Sequence, residues 1–148
     1  MALAILPLGL SAQSSELDGI FDEYAGRKEY QSVIYGKTML GMMKENASDD
    51  VRDLLDGIKM IRIISCKGKA EVLCDMVHAI VRRQYERISM VSVEGTVSQF
   101  YLYDPKSAKK DMSFVMTVEG EGESVVMEII GKFDVKDITR LSSIGQKK

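Results

Sequence analysis

Apolar residues recur along this chain at two periods, and the change from one to the other lays out the elements. The most strongly periodic stretch is residues 69–88, KAEVLCDMVHAIVRRQYERI. There Leu73, Met76, Val77, Ile80 and Val81 return at three- and four-residue steps and share one side of an α-helix. Glu71, Asp75, Arg82, Arg83 and Glu86 fall largely elsewhere on the circle. An earlier helix, capped by Ser14 or Ser15 and reaching Lys28, carries the stripe Leu17, Ile20, Phe21 and Tyr24. Glu16 and Asp18 suit its positive end, and Gly26 marks where it frays. Lys37–Glu45, KTMLGMMKE, reads as a short helix bearing Met39, Leu40, Met42 and Met43. Ser48 predicts the cap of the next helix, over residues 49–56, with Val51, Leu54 and Leu55 inward and Gly57 just past its end.

Between and after these helices the period drops to two. Residues 30–35, YQSVIY, read as a strand, and 58–65, IKMIRIIS, are so continuously apolar that they predict a central one. Over residues 89–103, Val91, Val93 and Val97 hold one phase and Phe100 and Leu102 the other. That switch predicts a single strand with a bulge near Val97 and Ser98. Asp104-Pro105-Lys106-Ser107 is a turn, residues 111–119 a strand, Gly120-Glu121-Gly122 a second turn, and residues 123–133 a further strand. A short helix begins at Asp134 or Asp137 and includes Ile138 and Leu141, before a basic tail. Tight connections force the last three strands into an antiparallel meander. The expected fold is α+β: a two-layer sandwich with a mostly antiparallel sheet of about five strands, ending in that three-stranded meander, and helices packed on one face.

Composition changes this picture only at the N-terminus. The chain has 148 residues, 45% hydrophobic and 28% charged, as suits one soluble globular domain. Residues 2–10, ALAILPLGL, are apolar and uncharged, and Ser11-Ala12-Gln13 follows. This is the apolar core and small-residue cleavage site of a secretory signal peptide, without the preceding positive charge and too short to span a bilayer. The reading divides the chain into a signal-peptide-like segment, 1–12, and a single α+β domain, 13–148. It expects an exported protein, periplasmic or secreted. No cysteine follows the apolar run, so no lipid anchor is expected there. A net charge of −2 predicts no general attraction to nucleic acid or to an anionic membrane.

Several short patterns, in order, carry a resemblance. They are Ile20-Phe21 with Tyr24, then 33–40 (VIYGKTML), then 54–58 (LLDGI) running into a strand, and finally Val125 with 130–134 (IGKFD), Ile138 and Leu141. Together they resemble the domain-of-unknown-function family 4252. The resemblance implies export from a Gram-negative bacterium, often as a lipoprotein, and brings no established activity and no catalytic residues.

Candidate chemistry is sparse. Cys66 and Cys74 are the only cysteines, and an oxidising compartment would favour a disulfide worth about 2.5 kcal/mol. Cys66 at a strand end and Cys74 a turn into a helix strain the roughly 7 Å limit between Cα atoms. Cys74 and the lone histidine, His78, share a helix face and could form a nucleophile with its base, though no motif supplies the remaining groups. Met39, Met42 and Met43 have the spacing of soft thioether ligands, but the same spacing lets a helix bury one side, and core packing is the expected role. Lys106, with Lys109 and Lys110 near Tyr101 and Tyr103, mixes basic and aromatic groups in a way that suits a glycan or a polyanion. The sheet face away from the helices is the expected binding surface, with Tyr101, Tyr103 and Lys106 upon it.

The expected protein is therefore a non-enzymatic, exported component of the cell envelope with a binding or scaffolding role and no cofactor or resident metal. An envelope protein or a glycan is the candidate partner, and nucleic acid is not. The alternatives are a small hydrolase built on Cys74 and His78, and a soft-metal carrier built on Met39, Met42 and Met43.

Overall fold

The computed structural model describes residues 16–138. The signal-peptide-like segment, the Ser14 and Ser15 caps, Leu141 and the basic tail lie outside the described residues. Within them the elements run α1 (Asp18–Tyr24), β1 (Gln31–Tyr35), α2 (Lys37–Glu45), α3 (Asp49–Gly57), β2 (Ile58–Lys67), α4 (Glu71–Gln84), β3 (Glu86–Val93), β4 (Thr96–Tyr103), β5 (Met112–Glu119) and β6 (Glu123–Gly131). A helical turn then opens at 135–138, where Asp134 Oδ1 accepts the Lys136 N–H at 3.0 Å. The strands form one open sheet in the order β1-β2-β6-β5-β4-β3, every neighbouring pair antiparallel. The fold is α+β.

The sheet has six strands because residues 89–103 do not form a single bulged strand. Glu94 and Gly95, at φ 50° and 86°, turn the chain between β3 and β4. Positive φ at both central residues is the signature of a type I′ hairpin, whose twist matches its flanking strands. The phase switch in the sequence is this turn. A register irregularity does occur, between Arg87 and Ser89. The closing meander therefore has four strands, β3 to β6, rather than three.

The helices cover both faces, which corrects the expected one-sided sandwich. Ile64, Val126, Val115 and Tyr101 share one face, and α1 and α4 pack there through Ile20, Phe21, Tyr24, Leu73, Cys74, Val77 and Val81. Ile61, Ile129 and Phe114 point the other way, and meet Leu40 of α2, Leu54 and Leu55 of α3, and Ile138. Strands β2 and β6 are apolar in both phases because both of their sides are buried. The cap positions differ in detail as well. Ser48 occupies the N-cap of α3 without a side-chain bond, its carbonyl accepting the Arg52 N–H at 2.8 Å. Gly57 is the last residue of α3 rather than the residue beyond it. It is needed because a Cβ there would overlap the Lys132 carbonyl oxygen.

Candidate functional site

Antiparallel register sets two rows of side chains beneath α1 and α4. One row runs Ile64, Val126, Thr117, Gln99; the next runs Arg62, Glu128, Val115, Tyr101, Arg87. Each row carries polar groups into an otherwise apolar layer, and each resolves them with a hydrogen-bond network.

In the first row His78 descends from α4 onto the cross-strand pair Gln99 and Thr117. Its Nε2 lies 3.0 Å from Thr117 Oγ1 and 3.3 Å from Gln99 Nε2. Gln99 Oε1 accepts the Tyr101 hydroxyl at 2.8 Å and Arg87 Nη1 at 3.4 Å. The amide nitrogen of Gln99 is thereby turned toward the imidazole as a donor, so His78 Nε2 accepts and the ring is neutral with its proton on Nδ1. Burial holds the His78 pKa below its ordinary value, with Arg82 and then Arg87 acting the same way and Asp75 opposing. A buried, neutral histidine whose Nε2 is held by Thr117 and Gln99 is a structural polar group.

In the second row Arg62 donates from Nε and Nη2 to Glu128 Oε1, at 3.0 and 2.8 Å, and from Nη2 to Asp18 Oδ1. Ser113 Oγ donates to Glu128 Oε2 at 2.6 Å and receives the Tyr85 hydroxyl at 2.9 Å. The Arg62 guanidinium lies 4.3 Å from the centroid of the Phe21 ring. Burial alone would lower the Arg62 pKa; the charge of Glu128 and its bonds to Glu128 and Asp18 hold it above its ordinary value. Sequence reasoning passed over this pair. The signal was a charge of each sign flanked by apolar residues in mid-strand: Arg62 in 60–64 (MIRII) and Glu128 in 125–130 (VVMEII).

Cys66 and Cys74, the pair considered for a disulfide, are free thiols, Cys74 buried and Cys66 half-buried. Burial pushes the Cys74 thiol up to about 12, with Glu119, Cys66 and Asp75 adding to it. Such a thiol supplies almost no thiolate near neutral pH. His78 Nε2, meanwhile, is directed to Thr117 and Gln99 rather than to a sulfur. Cys66 borders a cleft of about 670 Å³ together with Lys28, Glu29, Ser65, Lys67 and Glu123. Burial and the charge of Glu123 raise its pKa as well. The cleft brings this thiol no imidazole and balances its two lysines with two glutamates, so it lacks the electropositive setting of a reactive cysteine.

The expected surface residues are dispersed. Tyr101 is buried, 2% exposed, under α4 on a helix-covered face, with its ring 5.9 Å from that of His78. Burial removes it from any exposed platform. Tyr103 is half-buried, its ring 5.6 Å from that of Tyr85. Lys106 is exposed in the β4–β5 connection, where Asp104 Oδ1 accepts its backbone N–H at 2.9 Å. The exposed apolar residues lie elsewhere: Val33 and Ile34 on β1, Val72 on α4, three methionines on α2 and, most numerous, four on β3. At β3, the end of the sheet, Ile88, Met90, Val91 and Val93 are 40, 53, 47 and 59% exposed. Among the described residues no helix is long and apolar enough to cross a membrane.

A family model described as "Domain of unknown function (DUF4252)" matches residues 24–141. No curated protein and no solved structure matches the chain.

Proposed function

The chain belongs to the DUF4252 family, whose description assigns no activity, and from that premise we propose a non-enzymatic, exported cell-envelope protein that binds an extended segment of a partner protein along strand β3. The observation that carries this reading is the edge itself. Among the described residues β3 has a strand on one side only, so there its outer row of N–H and C=O groups has no ladder. All of its eight residues except Ser89 are exposed, and its apolar side chains project from both faces. Backbone groups of this kind take a strand, and alternating apolar side chains set its register. The opposite edge, β1, has only five residues. Export rests on the apolar N-terminal segment, residues 2–10, and its small-residue boundary. The absence of chemistry rests on the burial of Cys74 and the internal engagement of His78.

A photo-crosslinking residue at Ser92, in protein exported by a Gram-negative host, tests the reading. The expected result is one discrete crosslinked partner in the envelope fraction that is lost in Val91→Lys, a charge on an exposed edge position that leaves the fold intact. Crosslinks indifferent to Val91→Lys, or protein retained in the cytoplasm, would overturn it.

A further inference from the structure

Helix α2 faces outward with the side expected to face in. Of its apolar side chains only Leu40 is buried; Met39, Met42 and Met43 are 44, 56 and 39% exposed. At about 100° per residue these three positions lie within one arc of about 100°. The inward side is taken by Leu40, with Gly41 and Lys44 half-buried beside it. Contacts at the end of the helix fix this rotation. Lys44 forms an ion pair with Asp56 of α3. Arg52 donates from Nε to the Lys44 carbonyl at 3.3 Å and from Nη2 to the Ala47 carbonyl at 3.2 Å, serving acceptors that a helix end leaves open. Turning the methionines inward would break these bonds.

Three thioethers thus stand in water at positions i, i+3 and i+4, where Cβ atoms are about 5–6 Å apart. The three torsions of each side chain let the sulfurs converge on a point above the helix. Thioethers are neutral, soft donors that select Cu(I) and its like over calcium, magnesium or zinc. Met42 and Met43 lie in the last turns of α2, where the negative end of the helix dipole favours a cation. Among the described residues no group of three or more His, Cys, Asp and Glu could hold a metal, so no harder donor set competes. We propose that Met39, Met42 and Met43 form a three-coordinate thioether site for a single soft monovalent cation of the Cu(I) and Ag(I) class. The site lies on a different element from the β3 edge and stands independently of that reading.

The test uses the full chain carrying Cys66→Ser, which removes the half-buried thiol that would itself take a soft cation, and Ag(I), a redox-stable probe, titrated against a competing chelator. One equivalent should bind, and the triple variant Met39→Leu/Met42→Leu/Met43→Leu should weaken binding at least about 100-fold, as loss of a linked donor set does. Met90→Leu, at an exposed methionine on β3, should bind as the parent does. Leucine preserves apolar volume, so a patch that merely attracts an apolar partner would survive the change. Equal affinity in the triple variant, or no saturable binding by the parent, overturns the proposal. Should the triple variant not fold, the methionine ε-methyl resonances of the parent decide. Ag(I) shifts confined to three methyl groups support the site, and shifts that are absent or spread across the remaining methionines overturn it.

Discussion

Arg62 and Glu128 face each other across the β2–β6 ladder, 6% and 0% exposed, with two guanidinium nitrogens on one carboxylate oxygen. The pair sits in the layer that α1 and α4 cover. Asp18 accepts a further bond from Arg62, and Ser113 donates to Glu128 while receiving the Tyr85 hydroxyl.

A buried ion pair that loses one partner leaves a charge without compensation. Glu128→Leu should cost about 3–5 kcal/mol in urea unfolding, whereas Arg62→Met/Glu128→Leu should recover most of that loss. A double variant as unstable as the single would mean that the network, rather than the pair, carries the stability.

His78 makes stability depend on pH with a definite sign. Its folded pKa lies below the ordinary 6.5 because it is buried beside Arg82. As pH falls through about 6.5 the unfolded chain takes up a proton that the native imidazole refuses, so stability complete above that pH is lost below it. The difference in urea midpoint between the parent and His78→Gln should narrow from pH 8 to pH 5. A constant difference would mean that the native and unfolded imidazoles titrate alike, and a widening one that folding favours the charged form.

The two thiols should react very unequally. Iodoacetamide on native protein at pH 8 should label Cys66 slowly and Cys74 only at the rate of unfolding, as peptide mass mapping would show. Unreduced protein should contain two titratable thiols. With its pKa pushed up to about 12, Cys74 should also lower stability once pH rises above its ordinary value of 9.0, because the unfolded thiol ionises and the native one does not.

Gly57 and Gly131 mark a crossing of backbone on backbone. A Cβ on Gly57 would overlap the Lys132 carbonyl oxygen, and one on Gly131 the Gly57 carbonyl oxygen. Gly131 also has φ +154°. The Lys132 N–H donates to the Gly57 carbonyl at 2.7 Å across the same contact. Gly57→Ala or Gly131→Ala should each cost about 3 kcal/mol or more, because backbone cannot yield as a side chain can. Gly26→Ala, at a position with open space, should change the unfolding midpoint little.

Local pattern carried much of the architecture. The stripe Leu73, Val77 and Val81 is the buried side of α4, and Leu54 and Leu55 that of α3. Residues 111–119 and 123–133, which read as strands, contain β5 and β6. The Glu94-Gly95 turn lies inside a stretch that alternation reads as one strand, because glutamate rarely occupies a left-handed position and hides a hairpin that asparagine would announce. The apolar run of β2 marks a central strand, but the expectation placed helices on one face only.

The sequence by itself determined which side chains share a face, since the periods 3.6 and 2 are properties of the backbone. It could not determine what each face would meet. That α2 and α3 cover one side of the sheet and α1 and α4 the other is a matter of tertiary packing. So are the solvent exposure of Met39, Met42 and Met43, the burial of Tyr101, and the pairing of Arg62 with Glu128, 66 residues apart. The physical reason is common to all: a periodic stripe fixes directions around one element, whereas burial depends on contacts between residues far apart in sequence, made only when the sheet closes its order.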